Sequence, residues 1–231
     1  MIDLLGPAEW AAVWLSLQVA LVATLASLPP ALWVAHLLAR RSFPGKQLVN
    51  ALVHLPLVLP PVVTGYLLLV TFGTQGPVGG WLDDTFGVTF AFRWTGAALA
   101  AAVMAFPLMV RAMRLAVEAV DAGLEEAAAT LGASRARVFV TVTLPLVMPG
   151  VLAGAVLGFA KALGEFGATI TFVAAIPGQT QTIPSAIYGL LQVPGQERGV
   201  VALVAIAIAF AVGALLLSEW LAQRMAARVR G

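Results

Sequence analysis

The chain has 231 residues, 61% hydrophobic and only 10% charged, with a mean hydropathy of +0.96, which leaves too little polar surface to cover a soluble globule of this size. A net charge of +2 is too weak for nucleic-acid binding, and the lack of cysteine excludes disulfides and thiolate metal sites. These quantities describe an all-α polytopic membrane protein, a single transmembrane domain over residues 1–231 whose surroundings are membrane lipid.

A bilayer crossing takes about 20 apolar residues in a helix. Stretches free of Asp, Glu, Lys and Arg run from Trp10 to Ala39, Gln47 to Leu82, Trp94 to Val110, Val138 to Ala160, Phe166 to Gln196 and Gly199 to Ser218. Asp3 and Glu9 precede the first where a signal peptide would carry basic residues, so it reads as a span of the mature protein. The second contains Pro60-Pro61, which either kinks the helix to shape a pathway or simply tolerates a turn. Pro177-Gly178, Pro184 and Pro194-Gly195 cut the fifth into pieces of about nine residues, half a crossing each, so 166–197 reads as an external or re-entrant segment. Five spans are therefore expected, near 11–36, 48–72, 94–113, 144–164 and 199–220. With five, ten of the 13 basic residues fall on one side: Arg40, Arg41, Lys46, Arg111, Arg114, Arg135, Arg137, Arg224, Arg228 and Arg230. The excess of positive charge marks the cytoplasm, placing the N-terminus outside and the C-terminus inside.

The loop 118–142 between spans three and four interrupts the apolar pattern. Asp121 suits an N-cap, Leu124 to Ala129 a short helix, Gly132 the left-handed residue that ends it, and Ser134 the cap of a second helix. Pro145 fits the first turn of the fourth span, where a missing N–H costs nothing. Two short helices joined at a glycine form an elbow whose alanines let another backbone approach closely.

Glu126-Ala127-Ala128, three residues, Gly132, nine residues and Val142-Thr143-Leu144-Pro145 resemble the EAA loop of ABC-importer permeases, with Val142 where the pattern usually has Ile. The stretches HLPLVLPPVVTGYLLL (His54 to Leu69) and KALGEFGATITFV (Lys161 to Val173) resemble the narrower group of molybdate and sulfate permeases. Length favours the molybdate side, with the longer sulfate/thiosulfate permeases as the alternative. The resemblance implies a type I ABC-importer permease architecture in the bacterial cytoplasmic (inner) membrane, with the elbow as its cytoplasmic coupling helix. It implies a second copy of the chain, two ATPase subunits and a periplasmic or extracellular oxyanion-binding protein, with molybdate, and also tungstate, as cargo. Glu126, Ala127, Ala128, Gly132, Leu144 and Pro145 would then couple the permease to the ATPase. Pro44-Gly45-Lys46-Gln47 lacks the first glycine and the hydroxyl of a P-loop, so ATP and Mg belong to the partner and this chain is not itself an enzyme. No cofactor is expected, and His36 and His54 are too few to hold a metal.

Lys161 and Glu165 lie 16 and 20 residues past Pro145, about 24 and 30 Å along the fourth span at 1.5 Å per residue, near its outer end. At i and i+4 they form either a structural clamp or part of an outer gate. Thr169 and Thr171, followed by Gln179, Thr180, Gln181, Thr182 and Ser185, offer neutral donors that bind a dianion without trapping it, or else line a polar outer loop. A passive channel would have no use for the elbow. An intramembrane hydrolase finds only Gly132-Ala133-Ser134-Arg135-Ala136, which ends in the wrong residue and lies in the cytoplasmic loop.

Overall fold

A computed structural model describes residues 5–230; Asp3 and the side chains at 222 and 225–230, those of Arg228 and Arg230 included, lie outside the described residues. Helix α1, Pro7–Arg40, opens on a proline at its first position and runs straight through Pro29-Pro30. Helices α2, Lys46–Val58, and α3, Pro61–Phe72, meet at a bend of 114°. The cause is covalent: Pro60 and Pro61 supply no N–H to the carbonyls of Pro56 and Leu57, so the ladder must stop there. At about 20 and 18 Å, neither half crosses a bilayer alone.

A short α4, Pro77–Phe86, leads to α5, Trp94–Glu118, and then to the elbow helices α6, Ala122–Thr130, and α7, Arg135–Val138. A π turn, Phe139–Thr143, joins α7 to α8, Leu144–Leu163, so that the second elbow helix and the fourth span form one rod. Leu144 N–H reaches back five residues to Phe139, and the wider turn absorbs Pro145, which has no N–H to donate. Beyond it, α9, Gly167–Val173, and α10, Ile183–Leu190, are about 10 and 12 Å long, followed by α11, Glu197–Arg230. By length and composition four described helices can cross a membrane, and up to five if the bent α2/α3 pair counts as one span.

Helix α5 is the centre, packed between α1 and α8. Its buried face is largely alanine in the first half, from Ala97 to Ala105, and Met109, Met113 and Val117 toward the elbow. Lipid supplies no hydrophobic drive between helices, so close approach must come from small residues. Gly150, Gly154 and Gly158, four apart on α8, supply it: a Cβ at Gly150 would collide with Ala116, and one at Gly158 would lie 2.6 Å from the Met109 sulfur. Helix α3 meets α9 in the same way. A Cβ on Gly65 would sit 2.5 Å from the Ala168 carbonyl oxygen, and one on Gly167 would sit 2.6 Å from Pro61 Cβ. The two stretches that carry the narrower resemblance thus pack against each other.

Gly150→Val should overpack the α5–α8 seam and lower stability by about 1–3 kcal/mol. Gly213→Ala, whose added methyl meets nothing within 4 Å, should leave stability unchanged or raise it slightly. Thermal unfolding of the two variants in detergent measures the contrast.

Candidate coupling site and outer cluster

The elbow is assembled by its own caps. Asp121 Oδ1 accepts the Gly123 N–H at 2.9 Å, and Ser134 Oγ accepts that of Arg137 at 3.4 Å. Gly132 has φ +85° with open space where a Cβ would stand, so the glycine is demanded by the backbone and not by a neighbour. Glu126, Ala127 and Gly132 are exposed and Ala128 is half-buried; Leu144 is half-buried against the α5 seam, while Pro145 is exposed. Leu131, 90% exposed beside Gly132, and Leu124 add an apolar component to this face that the sequence reading did not single out.

Glu125 turns the other way. Its Oε1 accepts the Thr143 hydroxyl at 2.6 Å and its Oε2 lies 3.3 Å from Arg40 Nε. That second contact is a charge contact at ion-pair distance, without hydrogen-bond alignment. Arg40 Nη2 donates to the Val120 carbonyl at 2.8 Å. A cavity of about 390 Å³ beneath the elbow is lined by His36, Arg40, Arg41, Glu125, Glu126 and Arg135. Arg114, on α5, pairs with Glu118 at 2.7 Å and reaches Asn50 on α2 at 3.1 Å. Basic residues from α1, α5 and α7 therefore gather at the elbow end. Only the doubled acid Glu125-Glu126 hinted at this division, since neighbours on a helix point about 100° apart.

At the opposite end of α8, Lys161 Nζ donates to Glu165 Oε2 at 2.8 Å. Glu165 is almost fully buried, with its side chain 1% exposed against 31% for the lysine. Its other oxygen accepts the Ala168 N–H at 3.0 Å, so one carboxylate both neutralises the ammonium and caps the first turn of α9. Thr169 donates to the Phe166 carbonyl at 2.8 Å and Thr171 to that of Gly167 at 2.9 Å. Thr180 and Ser185 are likewise engaged with local backbone, and the Thr182 hydroxyl lies 3.4 Å from that of Ser185. In this conformation the hydroxyl hydrogens of Thr169 and Thr171 serve the protein. A second cavity, about 830 Å³, lies between α1 and the 87–95 segment, and Gln18, Arg93, Trp14, Trp94 and Gln179 line it. His54 Nδ1 lies 2.8 Å from the Asn50 carbonyl, and among the described residues no three His, Asp or Glu side chains converge.

A helical membrane unit with broken helices at one end and a capped two-helix elbow at the other is the permease subunit of an ABC importer. The chain belongs to the family described as the binding-protein-dependent transport system inner membrane component, whose profile matches residues 19–231. It is a multi-pass component of the bacterial inner membrane, distinct from the ATPase. It is 62% identical over 215 residues to the molybdenum transport system permease protein ModB of Escherichia coli K12, covering 93% of this chain and 94% of that protein. It is 36% identical over 185 residues to the sulfate transport system permease protein CysW of the same organism, covering 80% and 63%. In fold it matches the crystal structure of a bacterial ABC transporter involved in the import of the acidic polysaccharide alginate, with a TM-score of 0.75 at 19% identity over 95% of this chain and 80% of that one.

The burial asymmetry of the outer pair sets an order of costs. Lys161→Met strands a buried carboxylate and should destabilise by about 3 kcal/mol. Glu165→Gln keeps an acceptor for Ala168 and leaves an ammonium that still reaches water, so it should cost about 1 kcal/mol. Exchanging the two charges should not restore stability, because an ammonium at 165 cannot accept the Ala168 N–H. Thermal unfolding of the three variants checks the order.

Proposed function

We propose that this chain is the permease through which a bacterial ABC importer carries molybdate, and tungstate with it, across the cytoplasmic membrane. The observation that carries the substrate is the 62% identity to a molybdenum permease across nearly the whole of both proteins, against 36% to a sulfate permease of the same organism. Two copies of the chain would work with two ATPase subunits and an outer oxyanion-binding protein. The exposed Glu126, Ala127 and Leu131 face, held by the Gly132 turn, is the surface offered to the ATPase. Leu144 and Pro145, at the head of α8, carry its displacement into the membrane. The two conformations need differ by only a few kcal/mol for ATP and the loaded binding protein to bias them.

The pathway is weakly binding in this reading. Lys161 is held by Glu165, so no unpaired cation stands at that point to trap a dianion. Thr169 and Thr171 can offer hydrogens to the anion as their hydroxyls turn away from the Phe166 and Gly167 carbonyls one turn back. The basic elbow end lies in the cytoplasm, which sets the N-terminus outside and the C-terminus inside.

ATP-driven uptake of labelled molybdate into vesicles holding the permease, its ATPase and its binding protein tests the substrate. Tungstate should compete at concentrations close to those of molybdate and sulfate only at far higher ones; equal competition by sulfate would move the chain to the sulfate group. In the same vesicles Gly132→Val, which strains the left-handed turn, should leave the protein in the membrane and cut uptake about tenfold or more, the loss of one required backbone conformation. For orientation, a reporter active only in the cytoplasm should work when fused after Arg230 and fail near Gly178.

A further inference from the structure

Glu125 and Glu126 are adjacent, yet only Glu126 faces out. The Glu125 carboxylate is engaged at both oxygens, by Thr143 at 2.6 Å and by Arg40 at 3.3 Å. Thr143 is 1% exposed and is the last residue of the π turn, one step before Leu144-Pro145. Arg40 is the last residue of α1, and its other nitrogen holds the Val120 carbonyl, in the hinge between α5 and α6. One carboxylate therefore meets the end of α1 and the head of α8, and through Arg40 the hinge after α5.

Among the described residues nothing else grips α6 comparably. The helix has no buried residue, so packing does not fix it to the spans. Its chain connections are compliant, with the non-helical residues 119–121 on one side and Gly132 at positive φ on the other. A helix pushed from outside through such joints would swing without moving the membrane helices unless a side chain tied it to them.

We propose that Glu125 is a positioning residue, the pin that converts displacement of the docked elbow into movement of α1 and α8, while Glu126 meets the ATPase. The inference rests on the importer reading above. It separates binding the ATPase from responding to it, two properties that sit on neighbouring residues.

Glu125→Ala should leave the ATPase bound in its usual amount, with basal ATP hydrolysis within about twofold of normal, as for a change outside the docking face. Uptake should fall about tenfold or more, the scale of a hydrogen-bonded charged group. Thr143→Val, which removes only the hydroxyl, should fall in the same direction by less. A second reading needs no substrate. The chain has no cysteine, so Val62→Cys introduces a single thiol beside the α2/α3 bend. ATP with vanadate should change its labelling by an impermeant maleimide, and Glu125→Ala should abolish that change while the ATPase stays bound. Unchanged uptake per ATP, or a preserved labelling change, overturns the proposal. Loss of ATPase binding in step with uptake overturns it too, by making Glu125 a docking residue. Should Glu125→Ala fail to reach the membrane, Thr143→Val decides by the same measurements. Failure of the unaltered protein to take up molybdate would fall on the substrate assignment alone, because the labelling is read without substrate.

Discussion

A backbone amide or carbonyl facing hydrocarbon must find a partner within the protein or in water, and each interruption of helix in this chain answers to that constraint. The prolines at 60 and 61 end α2 where two carbonyls lose their donors, and α3 restarts with Val63 and Thr64 both donating to the Pro60 carbonyl. Helix α9 restarts on a carboxylate, Glu165, and the first amide of α10, Ile183, is received by the Ser16 hydroxyl of α1 at 2.7 Å. At these two restarts a polar side chain substitutes for a missing backbone partner. The broken helices are then held together by glycine contacts, Gly65 of α3 against α9 and Gly167 of α9 against α3, and not by the hydrophobic effect, which is weak between helices in lipid.

The two ends of α8 differ in how firmly they are held. At the Leu163 end a nearly buried carboxylate joins Lys161 to the start of α9, tying that short helix to the span. At the elbow end the tie is partly exposed, with Arg40 and Glu125 each 20% accessible, and only the Thr143 hydroxyl behind it is buried.

What sequence alone could reveal divides along the same line. The caps of Asp121 and Ser134 and the left-handed Gly132 were legible because they are settled within four residues. The interruption at Pro60-Pro61 was legible in position, but not its 114° angle, which depends on what α3 packs against. The hydroxyls of Thr169 and Thr171 looked like free donors, since composition cannot say that each carbonyl one turn back will claim its hydrogen. The roles of Arg40 and Glu125 were out of reach: the Arg40 to Val120 bond spans 80 residues. The glycines of α8 at four-residue spacing were visible, and only the position of Met109, Met113 and Ala116 shows what they accommodate.

The π turn ahead of Pro145 has a consequence for chain length. Because a five-residue ring replaces a four-residue one at Phe139–Thr143, the faces of α7 and α8 are offset from ideal α-helical phase by about one residue, near 100°. The elbow and the membrane helix thus share a fixed rotational register, counted from Gly132 to Leu144-Pro145. Removing one residue from the π turn would relax the ring to ordinary helix and turn α7 relative to α8 through about a quarter of a revolution, whatever the residue removed. Between these two landmarks the number of residues is under tighter constraint than their identity, and side chains such as the exposed Val140 are free to vary where the count is not.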